Sequence, residues 1–251
     1  MLANYHTHTR WCKHGAGEIE DYADTAIAYG YEELAITEHV PLHNAVDLYR
    51  LQPDEFPAFN RALDQAIADY ADRLRILKGF ECEYFPDEMD FYRRYRDDYG
   101  YHVLVLGQHK SGKNRMYDHF DSKDADAVHS YADEVCEGLE TGFFTFLAHP
   151  DLVLECYEPG WDVHTQKAMD QIYRVCEAHS IPIEINANGL FKHRSYPSRE
   201  ALLYSKLFNL TYIINSDAHD PKFLGGAPIV QAEAFADSLG LSVTQKLLLD
   251  R

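Results

Sequence analysis

The sequence predicts an α/β protein built on parallel strands, arranged either as a closed barrel or as an open doubly wound sheet. Short β-rich runs alternate with longer amphipathic helical patterns, and this alternation implies right-handed crossovers between parallel strands. The 251 residues, 46% of them hydrophobic, suffice for one sizeable core. No internal repeat or linker rich in serine and glycine interrupts the pattern. We therefore expect a single domain spanning residues 1–251.

Seven β-rich runs are expected to form the strands of the sheet. They lie at residues 3–6, 33–37, 74–81, 102–107, 143–148, 182–185 and 211–215. Between them, apolar residues recur with helical spacing, as at Ile19, Tyr22, Ala23 and Ala26. The same spacing returns at residues 169, 172, 173 and 176. These segments are predicted to be helices that pack against the strands.

Acidic residues strongly outnumber basic ones. Asp plus Glu is 41 and Lys plus Arg is 23, which gives a formal net charge of -18. A surface of this sign repels nucleic-acid backbones and anionic lipids, so we expect neither a nucleic-acid polymer nor a membrane as a partner. A small anionic substrate is compatible with this charge if bound metal ions supply a local positive field. The fourteen histidines point to the same chemistry.

The cysteines and the N-terminal segment bear on the cellular compartment. The five cysteines are widely spaced and form no C-x-x-C pair, so reduced thiols are predicted. No N-terminal run combines a charged start with a long apolar stretch, and no window approaches the roughly 18 apolar residues of a membrane span. A cytoplasmic location is therefore expected, and the oligomeric state is left open.

Six of the seven predicted strands end in residue types that bind metal ions. In a barrel the C-terminal strand ends converge on one mouth, so residues far apart in sequence become neighbours there. The residues concerned are His6, His8, His14, His39, Glu81, His109, His149, Asp217 and His219. Imidazole and carboxylate groups are the ligands of zinc, iron or manganese, and nine of them exceed what one ion accepts. More than one metal ion is therefore predicted.

Two pairs within this set have chelating geometry. Strand pleating sends His6 and His8 to the same face, and Asp217 with His219 repeats the spacing with one carboxylate. Glu83 alternates with Glu81 and is expected to point into the mouth as a supporting residue. The remaining histidines are predicted to be solvated or to cap helices: His43, His102, His119, His129, His164, His179 and His193.

The order of these motifs resembles the polymerase and histidinol phosphatase superfamily, the PHP domain, across nearly the whole chain. The shared elements are His-x-His, a further His, Glu-His after the second strand, Gly-x-Glu, His-Pro and a late Asp-x-His. The resemblance implies a distorted TIM-like barrel of seven β/α units that holds three divalent ions, Zn, Mn or Fe, at the C-terminal strand ends. The implied ligands are His6, His8, Glu81 and Asp217 for the first ion; Glu81 as a bridge, His109 and His149 for the second; and His14, His39 and His219 for the third.

Within the superfamily, three segments resemble the histidinol-phosphate phosphatase branch. They are Cys-Lys-His-Gly at residues 12–15, Asn-Ala-Asn-Gly-Leu at 186–190 and Tyr-Pro-Ser at 196–198. The implied activity is hydrolysis of L-histidinol phosphate, a small phosphomonoester, to L-histidinol and phosphate in histidine biosynthesis.

The resemblance, together with the chemistry of phosphate ester hydrolysis, predicts roles for residues around the substrate. Either Lys192 or Arg194 would bind the phosphate, and a carboxylate, Glu83 or Asp151, would meet the substrate amine. Arg194 would then act directly at the reacting group. Asp217 or His219 would pass a proton to the leaving group, in competition with their roles as ligands.

Three alternatives stay open at this stage. A PHP phosphoesterase of this kind could act on nucleotides or short oligonucleotides, although the acidic composition disfavours long polymers. Metal-dependent amidohydrolases also begin with His-x-His, but their further lysine or histidine pattern is not in register here. The third alternative is a non-catalytic metal-binding accessory domain, which the complete ligand set disfavours.

Overall fold

A computed structural model of the protein describes residues 1–44 and 47–249. Seven parallel strands form one sheet in which spatial order follows sequence order. The strands are β1 Ala3–Asn4, β2 Glu33–His39, β3 Arg75–Cys82, β4 Val103–Leu106, β5 Phe146–Leu147, β6 Ile183–Asn186 and β7 Tyr212–Asn215. Each predicted run overlaps one of them. The sequential order excludes the doubly wound alternative, in which the strand order reverses.

The first and last strands approach each other and nearly close the sheet into a barrel. A parallel bridge joins Thr7 to Ala218, just beyond the ends of β1 and β7. The His8 amide donates to the Ala218 carbonyl at 2.8 Å, and the Tyr5 amide donates to Oδ1 of Asn215 at 2.8 Å. Because β1 and β5 have only two residues each, the barrel is distorted. The prediction of a distorted barrel of seven β/α units is confirmed.

Helices surround the strands in the order that the apolar spacing predicts. They are α1 Ile19–Ala28, α2 Phe56–Tyr70, α3 Met89–Tyr99, α4 Ala125–Glu140, α5 Val163–His179, α6 Ala187–Phe191, α7 Arg199–Ser205 and α8 Ala227–Leu239. The predicted apolar faces of α1 and α5 are buried. Among the described residues, no helix has the length and apolar character needed to cross a lipid bilayer. All five cysteines are free thiols, as predicted.

The strands separate two apolar layers. Outward-facing residues such as Leu34, Leu104 and Ile214 belong to the larger core beneath the helices. Inward-facing residues such as Ala35 and Val105 belong to a second cluster that fills the barrel interior. The polar residues at the C-terminal strand ends lie beyond this apolar filling, which gives the ionisable groups a dry and rigid floor.

Candidate metal centre

Glu81, near the C-terminal end of β3, lies at the centre of the predicted ligands. Its Oε2 atom lies 3.3 Å from Nε2 of His6, 3.3 Å from Nε2 of His8 and 3.1 Å from Nδ1 of His39. The side chain is buried, and a Cβ atom at Gly107 would overlap its carboxylate. The glycine on the neighbouring strand therefore makes room for the carboxylate.

The second oxygen of Glu81 faces a different pair of imidazoles. Its Oε1 atom lies 3.3 Å from Nε2 of His109 and 3.1 Å from Nε2 of His149. Each oxygen therefore has its own group of nitrogen ligands, which is the arrangement that a carboxylate shared by two ions requires. The geometry supports Glu81, rather than Glu83, as the bridging residue.

Asp217 lies beside the first group of ligand candidates. Its Oδ1 atom lies 3.6 Å from Nε2 of His6 and 3.4 Å from Nε2 of His8. The residue adopts a left-handed backbone conformation with φ of 46°, which aspartate tolerates better than most residues. This bend follows β7 directly and turns the carboxylate into the mouth.

The three histidines implied for a third ion lie together at the outer side of the site. Nε2 of His14 lies 3.0 Å from Nε2 of His219, and the ring of His39 lies 5.4 Å from that of His14. The structure also brings His8 and the Cys12 thiol close to this group. Burial, followed by the charge of Glu38, raises the pKa of Cys12 to about 12, so the thiol stays protonated.

The protonation states of the two carboxylates and of the three outer histidines suit metal binding. Although burial opposes ionisation, the surrounding imidazoles hold the pKa values of Glu81 and Asp217 well below their usual range. Burial lowers the pKa of His39 to about 3, and it lowers that of His14 and His219 as well. Two ionised carboxylates and several neutral imidazoles with free lone pairs are what a divalent transition metal binds.

Unpartnered buried nitrogens provide a second test of fit. Nε2 of His6 and Nε2 of His8 are buried, and neither has a hydrogen-bond partner among the described residues. A buried polar atom without a partner costs free energy, and coordination of a cation removes that cost. Both atoms face Glu81 and Asp217. The residues present therefore fit a metal centre.

Sequence reasoning missed Arg50, which supports the site from a loop after β2. Its buried guanidinium donates to both carboxylate oxygens of Glu83, at 2.9 and 3.1 Å. Although burial opposes ionisation, Arg50 and His109 hold the pKa of Glu83 far below its usual value. Glu83 Oε1 also lies 3.5 Å from Nδ1 of His109, which matches the predicted supporting role. The contact between Glu83 and a substrate amine stays a prediction. The charge of Glu83 is already balanced by Arg50.

A cavity of about 400 Å³ opens above the ligands. Both predicted phosphate-binding candidates, Lys192 and Arg194, line it. Arg194 pairs with Glu155 at 2.9 Å and lies over the ring of Phe120, 5.4 Å from its centroid. Asn188 and Tyr196, from two of the segments quoted above, also line the cavity. Lining residues that the sequence did not indicate are Asp47, Tyr49, Arg50, Lys110, Asp118 and Phe120.

The structure corrects two expectations outside the ligand set. Asp151 does not line the cavity; it is buried, and its carboxylate accepts from the Ser198 amide. It therefore has no route to a substrate amine in this conformation. The prediction of a solvated or capping role is wrong for His119, which is buried and lies 2.9 Å from Glu134 Oε2. No local sequence signal marks this pair, because Glu134 is on α4.

A family model described as "PHP domain" matches residues 4–188 of the chain. The chain belongs to the PHP domain family. Among curated relatives of this PHP protein are a probable histidinol-phosphatase from Deinococcus radiodurans, 22% identical over 89% of this chain and 88% of that protein, and a histidinol-phosphatase from Bacillus subtilis, 24% identical over 88% and 95%. A third is the DNA polymerase/3'-5' exonuclease PolX of Bacillus subtilis, 26% identical over 89% of this chain but only 35% of that protein.

Solved structures show the same fold. The histidinol phosphate phosphatase of Lactococcus lactis, solved with zinc, L-histidinol and phosphate, superposes with a TM-score of 0.76 at 18% identity, over 96% of this PHP protein and 95% of that chain. A putative histidinol phosphatase from Listeria monocytogenes gives a TM-score of 0.75 at 20% identity, over 91% and 99%. The barrel described above is therefore shared with these proteins.

The affinity of the centre for zinc is expected to fall as the pH is lowered. Although burial opposes protonation, Asp217 and Glu81 raise the pKa of His8 to about 9, and carboxylates raise that of His6 and His109. Below pH 9 an incoming ion must displace the proton of His8, which costs about tenfold in affinity per pH unit. Chelator competition between about pH 7 and pH 9 measures the slope, and a flat profile contradicts the prediction.

Proposed function

We propose that this PHP protein, a metal-dependent phosphatase, hydrolyses L-histidinol phosphate to L-histidinol and phosphate. The observation that carries the proposal is the gathering of the nine ligand candidates at a cavity whose wall also includes Lys110, Lys192 and Arg194. Relatives named histidinol-phosphatase that match this chain over most of their length support the substrate. Cationic side chains beside a metal centre suit the phosphoryl group, whose transfer depends on positioning and charge neutralisation.

We propose three divalent ions, Zn, Mn or Fe, held as the resemblance implies, with Glu81 shared between the first and second. Ions held at this site would supply Lewis acidity and would lower the pKa of bound water from 15.7 toward about 7. Arg194 and Lys192 would bind phosphoryl oxygens and orient the ester within the cavity. No serine or cysteine nucleophile is needed.

The proton for the leaving alkoxide was predicted to come from Asp217 or His219. Burial holds the pKa of His219 well below its usual value, and nearby imidazoles hold that of Asp217 low despite burial. Near neutral pH both groups are therefore deprotonated and have no proton to donate. Both residues are therefore proposed as metal ligands and not as the proton donor.

A panel of phosphomonoesters tests the proposed substrate. L-Histidinol phosphate is expected to exceed p-nitrophenyl phosphate and a nucleoside monophosphate in kcat/KM by at least about tenfold, or about 1.4 kcal/mol of transition-state binding. All three are assayed side by side with the same metal-loaded protein. If kcat/KM for the nucleotide exceeds that for histidinol phosphate by the same factor, the protein acts on nucleotides. The PolX relative supports this alternative. If the protein turns over substrate without chelator and loses all turnover when chelator is added, the accessory-domain alternative is excluded.

Arg194→Ala is expected to raise KM by about tenfold with a smaller loss in kcat, because the guanidinium would bind phosphate in both ground and transition states. Arg174→Ala is a matched control, since Arg174 is also exposed, pairs with Asp170 at 2.7 Å and lies over a phenylalanine ring. Lys192→Ala, measured in parallel, decides which cation binds phosphate. An unchanged KM for Arg194→Ala together with a raised KM for Lys192→Ala transfers the role to Lys192.

A further inference from the structure

Glu184 is a buried carboxylate that neither the ligand set nor the cavity wall includes. It lies on β6 between Ile183 and Ile185, which face the outer core, so its side chain points into the barrel. Its exposed fraction is 0%. Among the described residues it pairs with no lysine or arginine. A buried carboxylate of this kind is costly unless its oxygens accept several hydrogen bonds.

Four donors from different parts of the barrel satisfy Glu184. Oε1 lies 2.8 Å from Nδ1 of His6 and accepts from Nδ2 of Asn215 at 3.1 Å. Oε2 accepts from Nδ2 of Asn186 at 2.9 Å and from the backbone amide of His149 at 3.1 Å. The donors come from the ends of β1, β5, β6 and β7. One carboxylate therefore ties four strand ends together beneath the site.

The contact with His6 determines which ring nitrogen faces the centre. If Nδ1 carries the proton donated to Glu184, then Nε2 is left with a free lone pair. That Nε2 atom lies 3.3 Å from Glu81 Oε2 and 3.6 Å from Asp217 Oδ1. The hydrogen bond thus presents the imidazole to the centre in its ligating form.

Two further ligand candidates depend on the same carboxylate. His149 has a backbone φ of 26°, a conformation that a histidine rarely adopts, and its amide is held by Glu184. Asn186, the other neighbour of Oε2, also donates to Oδ2 of Asp217 at 3.2 Å. The orientation of His6, His149 and Asp217 is therefore coupled through one side chain.

We propose that Glu184 is a positioning residue of the metal centre, which fixes the Nδ1-protonated tautomer of His6 and the placement of His149 and Asp217. The proposal rests on the proposed metal centre. Outer carboxylate partners of metal-ligating histidines typically contribute 10–100-fold in metal affinity.

The first test is Glu184→Gln, which removes the charge and leaves one oxygen where the native side chain has two. The NH2 group of the glutamine then faces N–H donors, from which it cannot accept a hydrogen bond. Zinc affinity, measured by chelator competition, is expected to fall by about 10- to 100-fold. Glu184→Asp keeps the charge and is expected to recover part of the affinity.

Glu33→Gln is the matched control, because Glu33 is also a buried carboxylate but lies at the opposite end of the barrel. It accepts from the Tyr5 hydroxyl at 2.5 Å and from Arg75 at 3.0 Å. This variant is expected to keep the zinc affinity of the unaltered protein even if its thermal stability falls. A comparable loss of zinc affinity in both variants would mean that Glu184→Gln acts only by destabilising the protein, and it would overturn the proposal.

A second measurement uses the unaltered protein and decides the matter if Glu184→Gln fails to fold. Nitrogen-15 NMR of the zinc-loaded protein is expected to show His6 protonated at Nδ1 and not at Nε2. The opposite tautomer overturns the proposal. If the unaltered protein binds no zinc, the metal centre and the role of Glu184 fail together; if it binds zinc and Glu184→Gln binds it equally well, only the role of Glu184 fails.

Discussion

Glu81→Gln is expected to lower kcat/KM by at least about 10³-fold and to remove more than one metal ion from the protein. Both oxygens of Glu81 face imidazoles, with His8 and His39 on one side and His109 and His149 on the other, at 3.1 to 3.3 Å. An amide nitrogen in place of either oxygen cannot coordinate a cation. Loss of several kcal/mol of charge stabilisation corresponds to a rate loss of this size, at about 1.4 kcal/mol per factor of ten.

Elemental analysis and steady-state kinetics of the same preparation measure the two effects of Glu81→Gln. Glu83→Gln is the informative comparison, because the two residues alternate on one strand end and only Glu83 is paired with Arg50. Its effect is expected to be smaller, about 10- to 100-fold, as for other residues that orient ligands. If Glu83→Gln loses more metal than Glu81→Gln, the bridging role belongs to Glu83.

Asp217→Asn is expected to lower kcat/KM by about 10³-fold while the protein stays folded. The substituted side chain has the same shape, so Asn186 and Asn188 can still donate to its oxygen, as they do to Oδ2 at 3.2 and 3.4 Å. The amide group then faces Nε2 of His6 and His8, where the native residue presents a charged oxygen. His149→Ala, which removes one imidazole, is expected to have an effect of the same order.

Asp220→Asn is a suitable control for Asp217→Asn. Asp220 lies three residues further along, and its carboxylate accepts from the Lys222 amide at 3.1 Å and pairs with the Lys222 ammonium at 2.7 Å. Its replacement is expected to leave kcat/KM within about twofold. Turnover near that of the unaltered protein in Asp217→Asn, with metal shown to be present, would contradict the ligand role of Asp217.

Local spacing accounts for much of what could be predicted. The apolar periodicity of α1 and α5 depends on residues three and four apart, and it identified their buried faces. The strand positions were predicted from local β-rich runs, although β1 and β5 are shorter than those runs. His6 and His8 lie beyond the end of β1, so strand pleating does not place them on one face. Both rings nevertheless reach Glu81.

The supporting residues could not be predicted in this way. Arg50 lies in a loop without a recognisable motif, and it matters because it meets Glu83, 33 residues away. Glu184 reads in the sequence as an ordinary charged residue within an apolar strand. The buried pair of His119 and Glu134 likewise joins a short 3-10 helix to α4. Each role depends on a contact between segments that no local pattern relates.

The sequence by itself determined the α/β class, the seven strands, the helix faces and the nine ligand candidates, because each follows from local periodicity or from a motif at a strand end. Tertiary structure decided that the barrel closes through Thr7 and Ala218, that Glu81 faces two groups of imidazoles, and that Arg50 and Glu184 support the ligands. The physical reason is distance. Hydrogen bonds and coordination act over about 2 to 3.5 Å, and only the register of distant strands sets which atoms come that close.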